Sequence, residues 1–91
     1  MDSILLIVNK PTDNDSLERR VSYNKQLSPK LGELQRKYKD TELLSENVLL
    51  IKATDISCLV EACDSCIQHG HTYRCLFFAE PPQWVYSTNR A

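Results

Sequence analysis

The chain has 91 residues, 42% of them hydrophobic and 25% charged, with a formal net charge of −1. This is ordinary composition for a folded domain and excludes a collagenous, disordered or disulfide-dense chain. Two glycines leave no material for a glycine-rich phosphate loop.

Residues 3–9, SILLIVN, read as a strand whose apolar run is continuous rather than alternating, the pattern of a strand covered on both faces. The run Ile4–Val8 is far too short to span a membrane. It follows Asp2 rather than a basic segment, so no signal peptide is expected and a cytoplasmic location with reduced thiols follows. KPTDND at 10–15 is a loop, and the Asp15/Glu18 spacing of a capping box predicts a helix opening near Ser16.

The helical region extends to about residue 44. Leu17 and Val21 form one stripe; Leu27, Leu31, Leu34 and Tyr38 form a second, rotated from it. Ser28-Pro29 lies near the junction, so a kinked helix or two consecutive helices are expected. NVLLIKA at 47–53 is a second strand. Thr54-Asp55 caps a helix over 56–69 that Gly70 closes, and TYRCLFFA at 72–79 is a third strand. Two prolines at 81 and 82 then lead to WVYS at 84–87, read as a short edge strand.

The expected fold is α/β, a small two-layer or three-layer sandwich in the order β-α(α)-β-α-β-β, one compact domain over 1–91. Strands alternating with helices predict a mostly parallel sheet, with an antiparallel C-terminal edge hairpin. The rival, a ferredoxin-like arrangement, requires a hairpin between the second and third strands, where this reading places a helix.

All four cysteines and both histidines lie between Cys58 and Cys75. On a helical projection Leu59, Val60, Cys63 and Ile67 share one face, Cys66 lies at its margin and Cys58 points away. Core packing is the expected role of the thiols, with Cys58 the most reactive as the outward one. The alternative is a zinc site from Cys63, Cys66, His69 and Cys75, but a C-x2-C pair inside a helix lacks the tight turn that structural zinc prefers. Neither metal nor cofactor is expected. His69 and His71 flank Gly70, where a histidine can bond free helix carbonyls.

Charge is unevenly placed. Arg19, Arg20, Lys25, Lys30, Arg36, Lys37 and Lys39 face Glu33 alone within their segment, while the remainder of the chain is acidic. Trp84 and Tyr86 add aromatic groups of the type that anchor interfaces. Asp13, Asp15 and Asp55 could approach one another beside Lys10 and Lys52 and hold Mg²⁺ or serve as acid and base, but Asp15 and Asp55 are already accounted for as caps and no catalytic motif accompanies them. The expected function is therefore a non-enzymatic interaction protein of inhibitor, immunity, antitoxin or adaptor type. Its partner is a protein with an acidic surface, steered by the basic segment and gripped by Trp84 and Tyr86. A homodimer through the C-terminal edge strand is the second assembly considered. Nucleic acid is disfavoured by the sequence pI of about 6.1.

Overall fold

The computed structural model describes residues 1–87. Strand β1 (Ser3–Val8) is followed by helix α1 (Leu17–Ser22), a π-helical turn (Tyr23–Leu27) and helix α2 (Ser28–Lys37). Strands β2 (Glu42–Ser45) and β3 (Val48–Lys52) form a hairpin, and a 3-10 turn (Ala53–Asp55) leads into helix α3 (Ile56–Gln68). Strand β4 (Tyr73–Phe78) ends the regular structure.

The sheet has the order β2-β3-β1-β4, and every neighbouring pair is antiparallel. This overturns the mostly parallel sheet expected from alternating strands and helices. One unexpected element accounts for the difference. Residues 42–45, assigned above to the end of the helical region, are a strand that folds back on β3. With that hairpin the order becomes β-α-β-β-α-β, the split β-α-β or ferredoxin-like connectivity given above as the rival. Each helical crossover then joins two strands that have an antiparallel strand between them. The expected C-terminal edge hairpin does not form either, because residues 81–87 carry no regular structure and β4 is itself the edge.

The helices cover one face of the sheet. Alternate sheet residues Leu6, Val8, Leu49 and Ile51 pack against Tyr23, Leu27, Leu31 and Leu34 from the long helical segment and Cys58, Ala62 and Cys66 from α3. The second stripe expected in the sequence is thus the buried one, whereas Leu17 and Val21 of α1 are exposed. Helix α3 departs further from expectation. Its buried residues are Cys58, Ala62, Ser65 and Cys66, while Val60 and Ile67 are 56% and 67% exposed. Small side chains let a helix approach its neighbours closely, so α3 turns its small-residue face inward and leaves bulkier β-branched groups at the surface.

The ends of the helices follow their sequence signals in part: Asp55 stands at the N-cap position of α3 but makes no capping bond, its carboxylate accepting instead from Asp40 N at 3.2 Å and Thr41 Oγ1 at 3.3 Å. Ser16 caps α1, its hydroxyl accepting from Arg19 N at 3.1 Å, while Asp15 instead takes the Thr12 N–H at 2.6 Å. At the end of α3, Gly70 has φ +73°. Gly70 N donates to Ile67 O at 3.2 Å and His71 N to Cys66 O at 2.8 Å, the paired bonds of a Schellman motif. Arg19 Nη1 donates to the Gly70 carbonyl at 3.0 Å and ties α1 to this turn. A Cβ on Gly70 would meet no atom within 4 Å, so its substitution strains only the backbone. Gly70→Ala is expected to lower the unfolding free energy by about 1–2 kcal/mol, read from the urea midpoint at unchanged slope.

Candidate functional site

The seven cations of the basic segment do not form one uncommitted face. Arg19 lies 3.5 Å from Asp15 and is bonded to Gly70. Lys30 approaches Glu33 at 3.9 Å and Glu61 at 3.6 Å, and Lys37 pairs with Glu61 at 2.9 Å. Glu61 also accepts from the Tyr38 hydroxyl, and these donors hold its carboxyl below the usual carboxylate range. The cluster clips α2 to α3 through charge-assisted bonds. Among the described residues, Arg20, Lys25, Arg36 and Lys39 make no ion pair, and of these Arg20 alone is half-buried.

Trp84 lies on the opposite layer. Leu5 and Leu50 are paired across β1 and β3 and alternate with the core residues Leu6 and Leu49, so they occupy the face without helices. The tail crosses that face, and Pro82 and Trp84 join Leu5, Leu44, Val48 and Leu50 around an apolar groove of about 330 Å³. Tyr86 is 75% exposed beyond it. The basic segment and the aromatic tail are therefore separated by the sheet, and no flat partner surface reaches both.

All four cysteines are free thiols. Cys58 and Cys66 are fully buried; Cys63 and Cys75 are half-buried where α3 meets β4. Burial, followed by the neighbouring Cys63 and Cys75, pushes the Cys66 thiol up to about 11. Burial also raises Cys58, which corrects the expectation that Cys58 is the outward, reactive thiol. His69 ends α3 on the side of Arg19 and Gly70. Among the described residues no group of three His, Cys, Asp or Glu is placed to hold a metal ion.

His71 has a different role from the helix-end bond expected of it. It is 4% exposed, its Nε2 lies 3.3 Å from Ser22 Oγ, and its ring meets Tyr23 edge-on at 5.6 Å between centroids. Burial, then the charges of Arg19 and His69, lowers its pKa from the ordinary 6.5.

A second exposed apolar surface is the flank formed by α3 and β4. Ile56, Val60 and Ile67 make an exposed stripe along α3, at 45%, 56% and 67%. Cys63 borders the stripe and touches Tyr73 and Cys75 of β4. On β4, Leu76 and Phe77 point to opposite faces of the sheet and are 55% and 60% exposed. The outer edge of β4 carries one charge in six residues, Arg74, and neither a proline nor a bulge. The opposite edge, β2, is shorter, begins with Glu42 and has an irregular register between Leu43 and Ser45, all devices that discourage edge pairing. Sequence alone suggested neither flank, because the stripe on α3 was assigned to the core and β4 was not expected to be the edge.

Comparison with protein families, with curated protein sequences and with solved structures returns no significant match. No described helix is long and apolar enough to cross a membrane. The chain is a small α/β domain in which the described residues form neither a metal-binding cluster nor a catalytic constellation.

Thiol accessibility gives one measurable consequence. In the native protein Cys63 and Cys75 are expected to react with a thiol-exchange reagent well before Cys58 and Cys66, with all four reacting together in denaturant. His71 gives another. Its lowered pKa means that the unfolded chain binds the proton more readily, so this contribution to stability is intact above about pH 6.5 and is lost as pH falls toward the folded-state value. Urea midpoints measured between about pH 8 and pH 5 should fall less for His71→Gln than for the native chain.

Proposed function

We propose that the protein is a non-enzymatic interaction module that binds an extended segment of a partner protein along β4, beside the outer stripe of α3. The observation that supports this reading is the contrast between the two sheet edges. β2 is blunted, whereas β4 presents six residues of strand with Leu76 and Phe77 beside it. An added strand would satisfy the outward backbone groups of β4, and alternate side chains would meet Phe77 and Val60 on one face and Leu76 on the other. Arg74 favours a carboxylate at the facing position. The unpaired cations Lys25, Arg36 and Lys39 steer such an acidic partner from a distance.

The nucleic-acid alternative has less support. Four-stranded sheets that bind RNA stack bases on exposed aromatic side chains of the strands. The groove on the open face here takes Leu5, Leu44, Val48 and Leu50 from the strands with one strand aromatic, the half-buried Phe78, and Pro82 and Trp84 of the tail lie against it. A cytoplasmic setting suits a chain whose four thiols are all free.

The test is site-specific photo-crosslinking in host cells, with p-benzoylphenylalanine in place of Phe77 or, as a control on the helical layer, Lys25. The expected result is a discrete adduct with a different polypeptide from position 77 that disappears with the additional substitution Leu76→Lys. Because Leu76 is exposed, that substitution should leave stability within about 0.5 kcal/mol. Adducts from position 25 alone would transfer the site to the helices. An adduct of twice the chain mass would replace the partner with a second copy.

A further inference from the structure

Where β1 leaves the sheet, a cavity of about 130 Å³ is lined by Lys10, Pro11, Arg20, Tyr23, Asn24 and Glu46. These come from three separate segments: the loop after β1, the junction of α1 with the π-helical turn, and the β2–β3 turn. The lining is rich in hydrogen-bond donors, with two cations, a side-chain amide and a phenol against one carboxylate. Glu46 already pairs with Lys10, so the Lys10 ammonium sits where it can hold an oxyanion. Both partners are about half exposed, and an exposed pair of this kind is weak enough to exchange.

Two donors in this lining are unmet within the chain. Tyr23 is 3% exposed and its hydroxyl has no hydrogen-bond partner among the described residues. Arg20 Nε is likewise shielded and unpartnered, and no carboxylate pairs with its guanidinium. Shielded polar groups in native proteins are almost always satisfied, by protein or by ordered water; of five such atoms among the described residues, these two belong to residues that line one cavity, where a ligand bearing acceptors would meet both. Tyr23 and Asn24 also open the π-helical turn, and such turns occur frequently at functional sites.

We propose that this cavity binds a phosphate group, with Arg20 and Lys10 neutralising its charge and Asn24 and the Tyr23 hydroxyl completing its hydrogen bonds. The cavity is several times the size that a single water needs, which leaves room for a five-atom oxyanion. A guanidinium matches phosphate geometry with two parallel bonds, whereas the ammonium acts as a point charge. Burial raises the Tyr23 pKa, which keeps the phenol protonated and able to donate. Glu46 acts as the internal competitor, occupying Lys10 until phosphate displaces it. The site is independent of the β4 flank and of any protein partner.

The test is titration of the isotope-labelled protein with inorganic phosphate, followed by amide chemical shifts in a phosphate-free buffer. Saturable shifts are expected around Lys10, Arg20 and Asn24. Arg20→Gln should weaken binding roughly tenfold or more, the effect of losing charged hydrogen bonds. Glu46→Gln should tighten binding by removing the competitor. Tyr23→Phe keeps the ring in the core and removes only an unmet hydroxyl, so it should weaken phosphate binding while leaving the urea midpoint of the free protein unchanged or higher. Phenyl phosphate binding more tightly than inorganic phosphate would identify a phosphate monoester as the source, and weaker binding would identify the free ion. Absence of saturable shifts, or equal affinities for the native chain and Arg20→Gln, would overturn the assignment.

Discussion

Strand β1 is the element on which every other depends. It is hydrogen-bonded to β3 on one side and β4 on the other, and Ile4, Leu6 and Val8 are at most 1% exposed. Its inward residues seat the helices and its Leu5 seats the tail. Its exit is pinned from both neighbours. Val8 N donates to Asn47 O at 2.9 Å and Asn47 Nδ2 to Val8 O at 2.8 Å, while Asn9 N donates to Thr72 O at 2.9 Å. The loop that follows is therefore held against both the hairpin turn and the start of β4, and this fixes Lys10 and Pro11 at the mouth of the cavity.

Much of the local structure was legible because strong local signals determine it. The apolar runs of β1 and β3, the serine that opens α1 and the glycine that closes α3 all act where the sequence places them. Topology was not legible, and the reason is specific. TELLSENV contains no Asn-Gly or Asp-Gly signal, and β2 has four residues with a register irregularity. Its leucines fit a helical continuation as well as a strand. Overlooking that short strand reverses the inferred direction of the sheet, because each hairpin changes which strands can lie side by side.

The functional surface was obscured by a different effect. Hydrophobic periodicity identifies a stripe but does not say whether large or small residues will be buried. In α3 the close contact with the sheet and α2 selected Cys58, Ala62, Ser65 and Cys66, and so Ile56, Val60 and Ile67 were left outside. The basic segment was legible as charge, but its internal pairing with Asp15, Glu33 and Glu61 depends on distances that only the fold supplies. The crowding of cysteines between Cys58 and Cys75 arises from the same demand for small, apolar packing groups.

The π-helical turn has a consequence for how α1 faces its surroundings. A turn closed by i+5 bonds holds one residue more than the α-helical turn it replaces, and one residue corresponds to about 100° of rotation. In an unbroken helix Leu17 and Val21 would sit at the flank of the stripe formed by Leu27, Leu31 and Leu34. The extra residue carries them round to the far side, into solvent, and brings Arg19 and Ser22 toward Gly70 and His71. The turn thus works as a phase shifter. A chain shortened by one residue at this turn could keep both helices and the same core, yet lose the alignment that joins α1 to the end of α3.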